Sequence, residues 1–281
     1  MYTFSVKNKY GDTMEITNND RYVIEDITGI DPPDSTINTT RNANADGSVY
    51  NSSYMNNRQI IITLAINTPA EDNRLLLYKY FKSKYGIRLY YTNDTRDVYI
   101  DGFVQKINVS FFNKKQIAQI TVVCPDPMFN ARADEIVDFS STQDLFKFPF
   151  TINTPIPFGA IEVEQEVNIR NTGDVESGFI FNIHAIGAMS TPKLVNADTL
   201  EFFQVNKELA AGDEIIINTK KKQKSVTLIS SGVETSLIGY IESGSTWLSL
   251  DPGDNTFIVT ATSNPENMMC YATLTEQYEG V

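Results

Sequence analysis

No β-strand can run through Cys124-Pro125-Asp126-Pro127, and that stop divides the chain. Two prolines two residues apart remove two backbone donors, fix φ twice and push Cys124 and Asp126 toward extended backbone, so a ladder arriving from the N-terminal side must end there. Such a ladder does arrive. Ile117, Gln119, Thr121 and Val123 alternate with Ala118, Ile120, Val122 and Cys124 in a run rich in β-branched residues, the pattern of a strand with at least one buried face. Beyond Phe129 regularity is lost until a second series of strand signals begins. With 281 residues there is enough chain for two cores. The expected division is a first domain over 1–130, a linker over 131–146 and a second domain over 147–281.

Before the stop, Tyr2 to Lys7 and Thr13 to Thr17 read as a hairpin, and Arg21 to Thr28 as a third strand. Arg58 to Ile66 is apolar on both faces and belongs in the middle of a sheet. Thr68-Pro69-Ala70-Glu71 reads as a capping box that opens one helix. Its Leu76, Leu77, Tyr80 and Phe81 share a stripe, Lys79, Lys82 and Lys84 complement the C-terminal dipole, and Gly86 is the expected stop. Ile87 to Thr92, Asp97 to Val104, Lys106 to Phe112 and Gln116 to Cys124 complete the domain as strands, with Asp101-Gly102 as a bulge or bend. Gly29 to Asn57 stands apart. Asp-Pro-Pro, repeated asparagines and Asp46-Gly47-Ser48 leave too few apolar residues to face a core, so an irregular arm is expected. A segment of that length carrying Tyr50, Tyr54 and Met55 reads as a contact element.

Charge separates the halves further. Residues 1–140 carry 15 Lys+Arg against 17 Asp+Glu, and residues 141–281 carry 8 against 18, so most of the net charge of −12 lies in the second half. Of 14 tyrosines, 11 fall between Tyr2 and Tyr99. Tyrosine brings contact area and a polar tip at low entropic cost, which points to self-association of a near-neutral first domain with an acidic second domain left toward solvent. The acidity argues against bound nucleic acid, since Lys220, Lys221, Lys222 and Lys224 form the one basic cluster. No apolar run approaches the length of a membrane span, and Met1 to Lys7 has no signal-peptide core, so synthesis and folding in a cytoplasm are expected. Cys124 and Cys270, one in each half, read as small buried hydrophobes.

In the second half Ile161, Val163, Gln165, Val167 and Ile169 alternate with Glu162, Glu164, Glu166, Asn168 and Arg170 as one half-exposed strand. Further strand signals fall at Gly178 to Ile186, Thr199 to Val205, Glu214 to Asn218, Lys224 to Ile229, Ser236 to Glu242, Thr246 to Leu250, Thr256 to Thr262 and Met269 to Thr275. Short strands separated by turn residues spell a β-sandwich or jelly roll. Catalytic constellations do not emerge. His184 is the one histidine and sits on the polar parity of its strand, with no second ligand to complete a zinc site or a triad. Glu162, Glu164 and Glu166 line a solvated face, and Asp251-Pro-Gly-Asp254-Asn255 is first a turn sequence rather than a calcium loop. No catalytic residue, metal or cofactor is assigned. Trp247, beside Thr246 and Ser249, is the candidate for stacking on a sugar ring, though no Arg, His and Asn set accompanies it.

Taken in order, these pieces resemble the distal tail protein (Dit) family of siphovirus-type phages and prophages. The resemblance rests on Gly29 with Pro32-Pro33, Asp46-Gly47-Ser48-Val49-Tyr50, Arg58 opening an apolar strand, the helix with Leu76, Tyr80 and Phe81, Leu89-Tyr90-Tyr91, Tyr99-Ile100-Asp101-Gly102 and the closing Cys124-Pro125-Asp126-Pro127. Phe148-Pro149-Phe150, Pro157-Phe158-Gly159, Gly173, Phe179 with Phe181 and Ile183, Ala211-Gly212-Asp213 and Leu250 to Asn255 resemble the family's C-terminal domain more loosely. The resemblance implies a mainly β chain: an N-terminal β-sandwich or split-barrel-like domain with one α-helix, then a galectin-like β-sandwich. It implies a hexameric ring at the distal end of the tail, joining the tail tube to the tail-associated hub or lysin protein and to receptor-binding or baseplate proteins. DNA would pass through the lumen unbound and no membrane would be engaged. Arg41, Asp46, Tyr50, Tyr54 and Arg58, in or beside the arm, are the candidate interface residues. The alternative is a non-catalytic carbohydrate-binding module using Trp247 on the bacterial surface.

Overall fold

A computed structural model of the chain describes residues 2–44, 46–143, 160–163 and 166–281. Phe148-Pro149-Phe150 and Pro157-Phe158-Gly159 lie outside them. Two compact units are found, residues 1–132 with 277–281 and residues 133–276. The second unit is thus inserted, in sequence, near the end of the first. Strands run β1 (Thr3–Lys7), β2 (Thr13–Glu15), β3 (Tyr22–Thr28), β4 (Ser35–Thr40), β5 (Val49–Met55), β6 (Arg58–Ile66), β7 (Gly86–Thr92), β8 (Asp97–Val109), β9 (Gln116–Cys124) and β10 (Phe129–Ala131), with helix α1 (Ala70–Tyr80) after β6. They continue as β11 (Glu135–Asp138), β12 (Ser140–Gln143), β13 (Ala160–Val163), β14 (Val167–Asn171), β15 (Phe179–Ala185), β16 (Met189–Asn196), β17 (Phe202–Gln204) and β18 (Glu208–Leu209). The last are β19 (Glu214–Asn218), β20 (Ser225–Ser230), β21 (Val233–Ser236), β22 (Gly253–Ser263), β23 (Met268–Leu274) and β24 (Gln277–Tyr278).

In the first unit one antiparallel sheet has the order β2-β1-β7-β8-β9-β6-β3, and β10 joins it between β8 and β24. The apolar run of β6 is an interior strand flanked by β3 and β9, but it lies one place from the β3 edge rather than mid-sheet; its Ile60, Ile62 and Leu64 face is buried, while Gln59 is exposed and Ile61 and Thr63 half-buried on the other. β9 ends at Cys124, where the prolines begin. The expected strands Asp97–Val104 and Lys106–Phe112 are one strand that turns a corner: its first half pairs with β7, its second with β9, and the register shifts between Val104 and Lys106. Gly102 is not the bulge. It stays in register opposite Ile87, and a Cβ there would sit 2.6 Å from Val122 Cγ1 and 2.8 Å from Cys124 Sγ, so close packing is what excludes a side chain.

The helix starts one residue later than the capping box requires. Pro69, which has no side-chain acceptor, occupies the cap position, and Thr68 falls outside. No side chain caps this end, and Asn73 instead ties the first turn to its surroundings. Its N–H donates to the Pro69 carbonyl (3.2 Å), its Nδ2 donates to the Asn67 carbonyl (2.9 Å), and its own carbonyl accepts the buried Tyr22 hydroxyl (2.7 Å). Leu77 and Phe81 are the buried members of the stripe, joining Ile60, Ile62, Ile120 and Val122 in the core. Gly86 does not stop the helix but opens β7; Lys84 takes the left-handed turn at φ +69°.

The second unit is a two-sheet sandwich. One sheet runs β11-β23-β15-β19-β20-β21; the other runs β14-β22-β16-β17, with β18 also on β16. Between them lie Phe139, Phe179, Phe181, Phe203 and Phe257, with Phe139 edge-on to Phe181 at 5.2 Å and Phe179 edge-on to Phe257 at 5.6 Å. Part of the expected linker is structural, because Glu135–Asp138 pairs with β23. The expected strand over Ile161–Ile169 is instead two, β13 on β12 and β14 on β22, each with its own partner. β16 had no sequence signal, since Ser-Thr-Pro-Lys interrupts it and Thr191 holds φ +53°. Ser236–Glu242 contributes a short 3-10 turn at Ile238–Tyr240, and Thr246–Leu250 forms no named strand. All of this remains mostly β.

Two outcomes follow from the first core. Gly102→Val should cost about 1–3 kcal/mol by overpacking, read as an earlier urea midpoint for the first unit. Burial pushes the Cys124 thiol up from 9.0 to about 12. The folded state therefore keeps a proton that the unfolded chain releases, so stability is intact below pH 9 and falls as pH rises toward 12. Cys124→Ala should flatten that decline in denaturation curves taken across the window.

Candidate assembly interface

The segment expected to be irregular is a regular hairpin. β4 and β5 pair only with each other, in an antiparallel ladder with a register shift between Asn38 and Thr39. Asparagine and threonine are poor core residues but good cross-strand partners. Asn38 Nδ2 donates to Ser52 Oγ (3.0 Å), Asn51 Nδ2 to Thr40 Oγ1 (2.6 Å) and Asn56 Nδ2 to Thr36 Oγ1 (2.9 Å), which holds the ladder without a core. The shift leaves Asn51 unpaired and brings Tyr50 opposite Thr39, onto the face of Ile37 and Ser53, where its hydroxyl meets Ser53 Oγ at 2.8 Å. Tyr54, opposite Thr36, lies on the other face. Both faces are open: Ile37 is 63% exposed, Tyr50 61% and Tyr54 56%. Arg41 and Asp46 lie in the exposed connection between the two strands.

Arg58, which stands beside the arm, is a different kind of residue from the other four candidates. It is only 4% exposed. Its Nε donates to the Pro127 carbonyl (2.6 Å), one terminal nitrogen donates to the Gly29 and Asp31 carbonyls (2.7 and 2.6 Å), and the other donates to the Glu279 carbonyl. The Phe129 ring lies 4.7 Å beneath the guanidinium. Burial lowers its pKa from the usual arginine value, partly offset by Cys124, Asp31 and Glu279. Four carbonyl dipoles directed at one cation are what make that burial tolerable. Gly29 fits the same cluster: at φ +83° a Cβ would lie 2.0 Å from the Gln59 carbonyl oxygen. One side chain therefore joins the base of the hairpin, the double-proline exit and residues 277–281. A charge heading an apolar strand was the available sequence signal; carbonyl partners leave none.

In the second unit Trp247 is half-buried, its ring tilted against Phe203 at 4.9 Å and with Lys224 Nζ 5.6 Å from its centre. His184 is exposed and pairs through its backbone with Glu214 and Met269. The Asn255 side chain closes its own turn, accepting from the Asp251 N–H (2.9 Å) and donating to the Asp251 and Gly253 carbonyls (2.8 and 3.0 Å). Among the described residues no three His, Cys, Asp or Glu side chains are grouped to hold a metal, and no helix is long and apolar enough to cross a membrane.

Residues 172–278 match the family described as the siphovirus-type tail component, C-terminal domain. That match takes in most of the second unit and the first residues that return to the first. The fold of the whole chain is similar to that of SPP1 Dit (gp 19.1), described as a paradigm of the hub adsorption apparatus in phages infecting Gram-positive bacteria. The two share 11% identity at a TM-score of 0.69 over 98% of each chain. Two structures of the phage P2 baseplate in its activated conformation, with calcium and with strontium, are also similar. They match at 11% identity over 100% of both chains, with TM-scores of 0.53 and 0.52. No curated protein sequence matches.

Removing the Arg58 cation leaves four buried carbonyls short of a donor. Arg58→Met should destabilise the first unit by about 3–5 kcal/mol, measured by chemical denaturation, with the second unit's transition unchanged.

Proposed function

We propose that this chain is a distal tail protein, a structural adaptor in the baseplate hub ring, located at the distal end of the virion tail and made in the cytoplasm of the bacterial host. The observation that carries the reading is the β4–β5 hairpin, a two-stranded ladder with both faces exposed and no core of its own. An isolated hairpin of this kind is marginal in water, and Ile37, Val49, Tyr50 and Tyr54 on its two faces offer the apolar area that a neighbouring copy would bury. Six first units contacting one another head to tail close into a ring, because a heterologous contact repeated by a closing rotation needs no self-complementary patch.

The role is geometric rather than catalytic. One face of the ring continues the tail tube and the other seats the tail-associated hub or lysin protein, while the acidic second units reach receptor-binding or baseplate proteins. DNA passes through the lumen without being held, which suits a chain of net charge −12.

Native mass spectrometry and negative-stain images of the purified chain should show rings of six. Ile37→Ser, Tyr50→Ser and Tyr54→Ser combined should shift the population to monomer while leaving the unfolding transitions in place. A chain that stays monomeric at high concentration, with Tyr50 and Tyr54 still open to solvent in tail particles, overturns the reading.

A further inference from the structure

Residues 277–281 do more than extend an edge of the first sheet. Phe129 and Asn130 of β10 pair with Tyr278 and Gln277 of β24, and Gln277 Nε2 donates to Asn130 Oδ1 at 2.9 Å. Arg96 covers the Tyr278 ring at 4.0 Å. The next three residues turn onto the segment that opens the hairpin. The Glu279 carbonyl accepts from Arg58, a Cβ on Gly280 would stand 3.0 Å from Pro32 Cδ, and the Val281 N–H donates to the Ile30 carbonyl at 3.3 Å. Gly29 and Asp31 carbonyls accept from the same guanidinium. Thus Gly29 to Pro32, the backbone from which β4 departs, is gripped by Arg58 and covered by 279–281, while the hairpin beyond it has only its own ladder.

We infer that residues 277–281 are a latch that sets the β4–β5 hairpin, so that assembly through the hairpin waits until the second unit has been made and closed. The order follows from the topology. The latch is separated from β10 by the whole of 133–276, and the loss of chain freedom on joining such distant residues opposes the pairing while that stretch is unfolded. Folding of the second unit removes the obstacle, because its own first and last strands meet: Glu135–Asp138 pairs with Tyr271–Leu274, and Thr275 Oγ1 donates to Asp134 Oδ1. A chain interrupted before residue 277 would have β6, β9 and α1 but not the fourth carbonyl on Arg58 or the cover on Pro32.

The inference takes the assembly role of the hairpin from the proposed function, but its decisive measurement does not depend on it. Hydrogen–deuterium exchange is followed on dilute chain, before any ring is sought, in wild type, in a variant lacking 277–281, and in Gly280→Val, which keeps every core residue and displaces the cover from Pro32. Both variants should speed exchange of the amides in 29–57 by about tenfold or more while β15, β19 and β23 keep their protection. A deletion variant that loses its first unit altogether transfers the decision to Gly280→Val. Hairpin amides that exchange at the wild-type rate in Gly280→Val overturn the latch. Wherever wild type forms rings, the ring fraction should fall about tenfold at the same chain concentration in both variants, and an unchanged fraction also overturns it. Faster hairpin exchange in a chain that never forms rings sustains the latch and removes the assembly reading alone.

Discussion

A single buried guanidinium organises the first unit. Arg58 has exchanged water for four backbone carbonyls and an aromatic face, and each carbonyl comes from a residue outside the strand ladders. Pro127 belongs to a run that the two prolines have barred from the sheet, Gly29 and Asp31 to the approach of the hairpin, and Glu279 to the returning residues. Arginine suits the task because its planar fork offers several donors in fixed directions without losing its charge. A lysine in the same place would present one point charge to four scattered acceptors.

The hairpin shows how a segment can be ordered without a core. Its ladder and side-chain bonds between asparagine, threonine and serine hold two strands in register, while the bulge at Asn51 puts Tyr50 and Tyr54 on opposite faces. Apolar groups therefore stand open on both of its faces. The clamp supplies what the hairpin cannot supply for itself, a fixed point of departure.

The second unit rests on different physics. Its two sheets close over a phenylalanine-rich core, and the polar residues that are buried there serve turns and strand ends: Asn171 Nδ2 donates to the Val175 and Leu250 carbonyls, and Thr219 Oγ1 bridges the backbone of Phe179. Among the described residues none of its acidic side chains is buried. Ordered regularity of this kind gives a rigid domain whose surface can vary.

Much of this was written in the sequence. The stop at the double proline, the pairing of β6 on both sides, the single helix and most of the alternating strands of the second half follow from local rules, because period and backbone restriction act over a few residues. Local rules failed where a partner decided. Gly102 looked like a bend but is a glycine because Val122 and Cys124 lie against it, Thr68 looked like a cap but Asn73 holds that end, and the proline-bearing β16 is a strand because β22 lies beside it. The arm was legible as a segment without a core, yet not as a hairpin, since its ladder rests on polar pairs that carry no hydrophobic period. Arg58 was legible only as an arginine at the head of an apolar run. The sequence alone determined that this chain is two β-rich domains with an unburied arm between the third strand and the apolar strand that follows; that a buried cation fastens the arm to residues more than two hundred positions further on was settled by the tertiary structure, because carbonyl groups are common to every residue and only folding chooses which of them meet.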